Sequence, residues 1–293
     1  MSSQSLNPVF ASGNLAVITG GASGIGLALA TKCASYSMNV MIVDNNASNL
    51  MEAKKAIKGN VETVEMDVAR IEDFENLKAC SKITESHNGN ISLLALNAGI
   101  GLKSDWTDTA YFHKIMDVNL FGVIHGLNTL LPLTTAKASS TSPSSIIITG
   151  SKQGITNPPG NPAYNASKAA VKALAEHLSY DLANSSPDTS VHLLVPGWTF
   201  TGLSGKQPFA KEGEKKGKPE GAWSSEQVVE FLEKKMQEGK FYVLCPDNDV
   251  SEEMDRKRML WTANDAVMGR PPLTRWREEY KEEAKAWMSN VKI

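Results

Sequence analysis

The sequence predicts an α/β protein built on a doubly wound, parallel, seven-stranded sheet with helices on both faces and a helical extension at the C-terminus. Two observations favour this class. Short β-branched apolar runs alternate with helical stretches over most of the chain, which is typical of right-handed βαβ crossovers. The predicted strands are apolar at nearly every position, as expected when helices cover a parallel sheet on both sides.

The first six strands follow from short apolar runs such as Leu15-Ala-Val-Ile-Thr19. They are predicted at 15–19, 40–43, 61–66, 92–96, 145–149 and 191–195. The stretches between and after them have helical spacing of apolar residues. These helices are predicted at 25–35, 47–57, about 72–87, about 108–137 and 163–183.

Beyond the sixth strand the alternation ends. Lys, Glu, Gly and two prolines make residues 206–222 poor in groups that can be buried, which predicts a mobile substrate loop over about 199–223. A helix is predicted at 224–238, with Ser224 or Ser225 as its N-cap, followed by a seventh strand at 241–244.

The last part of the chain predicts two more helical stretches, split near Pro271-Pro272. In the second, apolar side chains fall at helical spacing, which predicts a helix docked on the surface. Those residues are Leu273, Trp276, Tyr280, Ala284 and Trp287. We expect a single domain over 1–293, with a core at about 14–245 and a C-terminal extension at about 250–293.

Composition and charge exclude several classes of protein. The 293 residues include 30 Lys and Arg against 32 Asp and Glu, so the formal net charge is −2. A nucleic-acid binder or a polybasic membrane-surface protein would show a basic excess. No apolar run approaches the ~18 residues of a membrane helix, and the N-terminus does not resemble a secretory signal. We expect a cytoplasmic protein, and no His, Cys and Asp cluster has the spacing of a metal site.

A glycine-rich turn joins the first strand to the first helix. Gly20, Gly24 and Gly26 let the chain turn sharply and bring its backbone close to a phosphate. The N-terminus of the following helix offers free N–H groups and a positive dipole end. Asp44 closes the second strand about 20 residues later, where a carboxylate accepts hydrogen bonds from ribose hydroxyls. The pattern predicts a dinucleotide site.

Tyr164 and Lys168 lie four residues apart near the start of an Ala-rich helix, so both side chains share one helix face. A tyrosine, with a pKa of about 10, is a poor acid–base catalyst near neutrality, and a nearby ammonium lowers that pKa. Ser151 follows the fifth strand, at the sheet edge where parallel α/β proteins place their chemistry. The three side chains together predict a catalytic site.

These features resemble the short-chain dehydrogenase/reductases over about residues 14–201. Seven separated motifs occur in the family's order. They are the glycine turn, Asp67-Val68, Leu96-Asn97-Ala98-Gly99, Asn119, Ser151, the pair Tyr164 and Lys168, and Pro196-Gly197 with Thr201. Leu96 departs from the family's usual Asn, which is expected to cost a polar contact, and Thr199 from its usual Ile or Val. The last fifty residues are longer than the family's usual ending.

The resemblance implies a Rossmann fold and hydride transfer between a nicotinamide cofactor and an alcohol or carbonyl compound. Tyr164 would be the general acid or base at the substrate oxygen. Lys168 would bind the nicotinamide ribose and lower the pKa of Tyr164. Ser151 would hydrogen-bond the substrate oxygen, and Asn119 would hold a water that links Lys168 to solvent.

The expected cofactor is NAD, with NADP as the alternative. A carboxylate at Asp44 accepts a bond from a 2′-hydroxyl and repels a 2′-phosphate, and the neighbouring Asn45 and Ser23 are neutral. NADP would fit if Asp44 turned away and Asn45, Asn46 and Ser23 bound the phosphate. The residues expected to bind the cofactor are Gly20, Ser23, Gly24, Ile25, Gly26, Asp44, Asp67, Val68, Asn97, Ala98, Gly99, Tyr164, Lys168, Pro196, Gly197, Thr199 and Thr201.

The expected substrate is a hydrophobic or cyclic secondary alcohol or ketone, because the predicted pocket is apolar and aromatic. Its substrate-binding residues are Ser151, Gln153, Tyr164, Trp198 and Phe200, with Leu102, Pro159 and Phe209 as further walls. The many alanines of the helix at 163–183 predict close packing against a second copy, so we expect a homodimer or homotetramer.

Two other functions compete with this one. A regulatory or scaffold protein of the same fold, with little turnover, stays open as the alternative, although such proteins usually lose the catalytic Tyr, Lys or Ser. A serine hydrolase is disfavoured, because the segment Gly150-Ser-Lys-Gln-Gly154 does not place its serine at the centre of a nucleophile elbow.

Overall fold

The computed structural model describes residues 8–79, 90–136, 143–205, 208–209 and 217–293. Within them, seven strands form one sheet. The strands are β1 (Leu15–Thr19), β2 (Asn39–Asp44), β3 (Val61–Glu65), β4 (Leu93–Leu96), β5 (Ser144–Thr149), β6 (Thr189–Val195) and β7 (Tyr242–Leu244). All neighbours are parallel, in the order β3-β2-β1-β4-β5-β6-β7. The predicted doubly wound sheet is confirmed.

Helices cover both faces of this sheet. They are α1 (Gly24–Ser35), α2 (Ala47–Ala56), α3 (Ile71–Lys78), α4 (Thr109–Met116), α5 (Gly122–Thr135), α6 (Gln153–Thr156), α7 (Pro162–Ser185), α8 (Ser225–Gln237), α9 (Glu252–Val267) and α10 (Lys281–Asn290). Among the residues described, no helix combines the length and apolar character that a membrane crossing requires.

The sheet separates two hydrophobic layers, because alternate side chains of each strand point to opposite faces. Ile18 of β1 packs in one layer with residues of α1 and α8. Its neighbour Val17 packs in the other layer with residues of α3, α5 and α7. Both side chains are completely buried. This burial on both faces explains why β1 has no polar residue before Thr19.

The strand order reverses between β1 and β4, since β2 and β3 lie on one side of β1 and β4 to β7 on the other. In such sheets ligands bind at the carboxyl ends of the strands beside this switch point. The carboxyl ends of β1, β2, β4, β5 and β6 carry the glycine turn, Asp44, Asn97, Ser151 and Pro196 respectively. The topology therefore gathers the predicted site residues at one edge.

Two predicted helices differ from the structure in detail. The helix predicted at about 108–137 is α4 and α5, joined by a π-helical turn at Asp117–Phe121, and it ends at Thr135. The helix predicted at about 72–87 begins as α3, and its second part lies outside the described residues.

The prediction of one docked helix through Leu273 and Trp287 is wrong. Leu273 has a left-handed backbone, with φ of 61°, and short 3₁₀ turns follow before α10 starts. The cause lies in the preceding helix, where the Asp265 carboxylate accepts hydrogen bonds from the Thr274 backbone N–H, at 3.0 Å, and from its hydroxyl, at 2.5 Å. These bonds fix the chain in a turn at the point where a helix would have to begin.

Candidate active site

The glycine turn after β1 brings backbone atoms closer together than side chains permit. Gly20 and Gly24 have φ of 63° and 53°, a left-handed conformation that favours glycine. A Cβ on Gly26 would overlap the carbonyl oxygen of Gly20. The side chain of Ser23 does not cap α1, and the first N–H groups of any helix lack partners within it. The turn, including Ile25, thus forms a backbone cradle that fits a dinucleotide phosphate.

Asp44 points at this turn. One oxygen of its carboxylate accepts a hydrogen bond from the backbone N–H of Ala22 at 3.1 Å, and the other accepts from the N–H of Asn46 at 3.1 Å. The Asn46 side chain caps α2 by accepting from the N–H of Asn49 at 2.9 Å. The side-chain oxygen of Asn46 is therefore engaged in α2, and the Asp44 carboxylate lies against the glycine turn.

Asn97 joins three strand ends. Its backbone N–H donates to the Thr19 hydroxyl at 3.0 Å, and its side-chain amide donates to the Thr19 carbonyl oxygen at 3.2 Å. The Thr149 hydroxyl donates to the Asn97 side-chain oxygen at 3.1 Å, and the Ala98 N–H also donates to Thr19. A Cβ added to Gly20 would collide with the Ala98 backbone, so the turns after β1 and β4 pack tightly against each other.

The segment Asp67-Val68 lies beyond the end of β3. The Asp67 side chain accepts a hydrogen bond from the Ala69 N–H at 3.0 Å, which closes a tight turn. Val68 is buried and contacts the π-helical region, where a Cβ on Gly122 would lie 3.0 Å from its side chain. Their adenine contact stays a prediction.

The Ser151 side chain lies close enough to the Tyr164 hydroxyl to influence the pKa of that phenol. Tyr164 stands in the first turn of α7, which Asn161 caps by accepting from the Tyr164 N–H at 3.2 Å. Burial raises the pKa of Tyr164, and Tyr111 raises it further, while the Ser151 hydroxyl lowers it and so opposes both effects. The phenol is therefore protonated at neutral pH.

Lys168 lies one turn after Tyr164, with its Nζ 5.9 Å from the centroid of the Tyr164 ring. It donates a hydrogen bond of 2.8 Å to the carbonyl oxygen of Thr149, the last residue of β5. Burial lowers the pKa of Lys168 to about 8. A Cβ on Gly99 would lie 3.5 Å from Nζ and 3.2 Å from the side-chain oxygen of Asn119, so these polar atoms border the same glycine.

Asn119 is completely buried in the π-helical turn. Its side-chain oxygen accepts from the Ile100 N–H at 2.8 Å, and its amide donates to the Ile100 carbonyl oxygen at 3.0 Å and to the Ser167 hydroxyl at 3.1 Å. The side chain therefore fixes the backbone after β4 against α7. The water predicted beside it stays a prediction.

The segment after β6 reaches back to the glycine turn. Thr201 is nearly buried, and a Cβ on Gly24 would lie 3.3 Å from its side chain. Thr199 donates through its hydroxyl to the Gly197 carbonyl oxygen at 3.2 Å and pairs with Trp223 in a short parallel bridge. The segment that starts at Pro196 thus lies across the crevice from α1, where a bound dinucleotide would run between them.

The predicted substrate residues are placed unequally. Trp198 is 48% exposed, whereas Phe200 is only 7% exposed and leaves little surface for a ligand. Gln153 begins α6, and its N–H donates to the Ser151 hydroxyl oxygen at 3.2 Å. The sequence did not indicate Leu203, which lies in a 3₁₀ turn and is separated from the Tyr164 ring by Gly101. A Cβ on Gly101 would lie 3.3 Å from the Tyr164 ring and 3.5 Å from Leu203.

Comparison with known proteins agrees with this geometry. The family model of the short chain dehydrogenases matches residues 14–211. An NADP-dependent (R)-specific alcohol dehydrogenase of Lentilactobacillus kefiri is 33% identical over 198 residues, which are 65% of this chain and 75% of the relative. A cis-2,3-dihydrobiphenyl-2,3-diol dehydrogenase of Pseudomonas putida is 31% identical over 210 residues, which are 69% of this chain and 72% of the relative.

Among solved structures, a short chain dehydrogenase/reductase from Burkholderia phymatum in complex with NAD is similar to this chain. It superposes with a TM-score of 0.75 at 25% identity, covering 89% of this chain and 96% of its own. The match in sequence covers more than half of the chain and includes the glycine turn, Ser151, Tyr164 and Lys168. The chain therefore belongs to the short chain dehydrogenase family of oxidoreductases.

Proposed function

We propose that this oxidoreductase transfers a hydride between NAD and a hydrophobic or cyclic secondary alcohol or ketone, with Tyr164 as the acid or base. The observation that carries the proposal is the position of the Ser151 side chain beside the Tyr164 hydroxyl, with the buried Lys168 one helical turn further on. When bound, the nicotinamide ring supplies or accepts the hydride.

Tyr164 handles the proton at the substrate oxygen. Because burial raises its pKa, the phenol carries its proton at neutral pH and donates it to a carbonyl oxygen as the carbonyl carbon gains the hydride. In the reverse direction the phenolate accepts the proton of the alcohol. Ser151, which lies beside Tyr164, donates a hydrogen bond to the negative charge that develops on the same oxygen.

Lys168 contributes its ammonium group to the site, one helical turn after Tyr164. An ammonium has three N–H donors, and one of them binds the carbonyl oxygen of Thr149. The others are left for the nicotinamide ribose, and the positive charge stabilises the phenolate of Tyr164 during alcohol oxidation. A buried lysine with a lowered pKa also exchanges its proton readily near pH 8, which suits a proton path.

NAD is favoured over NADP by the direction of the Asp44 carboxylate. It is held at the glycine turn by the N–H of Ala22, where the ribose of the adenosine half would lie. A 2′-phosphate at that position would meet a fixed negative charge. Asn46, which the NADP alternative requires, uses its side-chain oxygen to cap α2.

An apolar substrate is favoured by the side chains around the reacting hydroxyl. Leu203 and the Tyr164 ring lie on either side of Gly101. Leu102 and Trp198, which are close to these residues in the sequence, are each about half exposed or more. The hydroxyls of Ser151 and Tyr164 are the polar groups that would orient the substrate oxygen among them.

A parallel screen tests the proposal. Secondary alcohols, aliphatic and cyclic, are offered with NAD and with NADP, and the matching ketones with the reduced cofactors, while absorbance of the reduced nicotinamide is followed. We expect turnover of at least one apolar alcohol–ketone pair with NAD, absent from the Tyr164→Phe variant. Binding of NAD without turnover of any compound would favour the regulatory or scaffold alternative.

A further inference from the structure

Lys152, the residue after Ser151, lies in a buried cluster with two carboxylates. Its ammonium forms an ion pair with Asp255 and lies 3.3 Å from a carboxylate oxygen of Asp247. The three side chains are 12%, 1% and 8% exposed, respectively. None of these residues was a candidate in the sequence, and the chemistry proposed above uses none of them.

The cluster connects three separate parts of the chain. Lys152 follows β5 and precedes α6, Asp247 follows β7, and Asp255 lies in the first turn of α9 in the C-terminal extension. The helix α9 packs against α6, the short helix that Lys152 precedes. The extension is thus joined to the strand end that carries the catalytic serine.

The same cluster holds the turn after β6. Asp247 accepts a hydrogen bond from the backbone N–H of Trp198 at 3.3 Å, and the N–H of Lys152 donates to the carbonyl oxygen of Pro196 at 3.4 Å. A Cβ on Gly197 would lie 2.6 Å from the Lys152 ammonium and 2.9 Å from the Asp247 carboxylate. The ion pair therefore lies directly against the Pro196–Trp198 backbone.

A buried cluster of charged groups of this kind contributes little to the free energy of folding. Two carboxylates share one ammonium, with the guanidinium of Arg258 3.8 Å from Asp255 as a further positive charge. Burial raises the pKa of Asp255, and Lys152 and Arg258 lower it. Charges taken out of water repay their desolvation only in good geometry, and their best-attested benefit is to specify one arrangement.

We propose that Lys152, Asp247 and Asp255 are positioning residues that let the C-terminal extension fix Ser151 and the Pro196–Trp198 turn in their working geometry. The inference rests on the proposed function, since Ser151 contacts the reacting oxygen and the turn borders the nicotinamide site. Misplacement of a catalytic group by about 1 Å costs up to ~10²-fold in rate, so even a small relaxation of the cluster is measurable.

Two variants test the cluster, with a matched control. Lys152→Met and Asp255→Asn remove one charge each at nearly constant volume. Asp265→Asn removes an equally buried carboxylate of the same helix, one that binds Thr274 and Arg270 instead. We expect kcat to fall about tenfold or more in the first two variants and to change less than twofold in the control. The dissociation constant of ADP, which keeps the adenosine and phosphate groups but lacks the nicotinamide ribose, is expected to stay within twofold in all three.

Amide hydrogen exchange of the ligand-free chain provides a readout that needs no turnover. We expect exchange at 151–157 and 196–200 to rise by about fivefold or more in Lys152→Met and Asp255→Asn, the effect of losing one hydrogen bond. In Asp265→Asn the faster exchange is confined to 265–280. The effects of Lys152→Met and Asp255→Asn on kcat are expected to be less than additive in the double variant, whereas Lys152→Met and Asp265→Asn add.

The outcomes separate the two proposals. Unchanged exchange at 151–157 and 196–200 overturns the positioning role, and so does faster exchange with kcat within twofold of the wild type. If the wild type itself turns over no substrate, the proposed function is overturned. Faster exchange in the variants would then still support the positioning of the two segments.

Discussion

The Lys168 ammonium donates a hydrogen bond of 2.8 Å to the carbonyl oxygen of Thr149. Thr149 ends β5 two residues before Ser151, so this bond ties the helix that carries Tyr164 to the strand that carries the serine. The Lys168 side chain is 4% exposed, and its pKa is lowered to about 8 by burial. The charge therefore costs folding free energy at the place where the proposed mechanism needs it.

Replacing this lysine tests that cost. In the folded state the pKa of Lys168 is about 8, below the ordinary 10.5, so folding disfavours the ammonium. The penalty is complete below pH 8 and disappears as the pH rises above 10.5. The wild type is expected to gain stability relative to Lys168→Met between pH 7 and pH 10, by up to about 3 kcal/mol. Urea unfolding of both proteins at the two pH values measures this. A difference in unfolding free energy that does not change with pH would contradict it.

Asp44 is expected to set the cofactor preference. A fixed carboxylate beside a 2′-phosphate costs several kcal/mol, so kcat/KM with NAD is expected to exceed that with NADP by more than about tenfold. In Asp44→Ala the ratio shrinks, because the repulsion is gone. Measuring kcat/KM with both cofactors on one accepted substrate decides the matter. Equal values in the wild type would show that Asp44 does not govern the pocket.

Gly26→Ala is expected to abolish dinucleotide binding, because the new Cβ would collide with the carbonyl oxygen of Gly20 and force the turn open. Gly217→Ala is the matched control, since a Cβ there meets no atom of the described residues within 4 Å. Fluorescence titration with NADH gives both dissociation constants. Binding by Gly26→Ala within threefold of the control would be evidence against the phosphate cradle.

The oligomeric state is a further prediction. Ala166, Ala169 and Ala173 lie exposed along α7, where small side chains permit close approach of a second helix. We expect light scattering at micromolar concentration to give the mass of a dimer or tetramer, and Ala169→Arg to lower it. A monomer mass for the wild type would refute the prediction.

Much of the fold and of the site was predictable from the sequence, because the signals are local. Strands that are buried on both faces have continuous apolar runs, such as that of β1. A tight phosphate-binding turn requires glycine where the backbone approaches closely, as at Gly20 and Gly26. Leu96 shows the limit of pattern matching. The family resemblance predicts an Asn at this position, but the leucine is buried against α5, where a Cβ on Gly126 would lie 2.5 Å from its side chain.

The rest could not be predicted because it depends on contacts between distant residues. Lys152 pairs with Asp247 and Asp255, about a hundred positions away, and each looks like an ordinary surface charge in the sequence. The turn at Leu273 is set by hydrogen bonds from Thr274 to Asp265 that no helical periodicity reveals. The π-helical turn around Asn119 could not be predicted either, because the helical spacing of apolar residues continues through it in the sequence.

The central claim is that Tyr164 transfers the proton, and removing its hydroxyl tests it most directly. The measurement is kcat for one accepted alcohol with NAD, in wild type, Tyr164→Phe and Tyr36→Phe, with the dissociation constant of NADH determined in parallel. Tyr36 loses the same atom at a distant site, where its hydroxyl binds Glu233. The account predicts a fall in kcat of about 10²–10⁴-fold for Tyr164→Phe alone, with NADH binding nearly unchanged. A fall of less than tenfold would remove Tyr164 from the reaction.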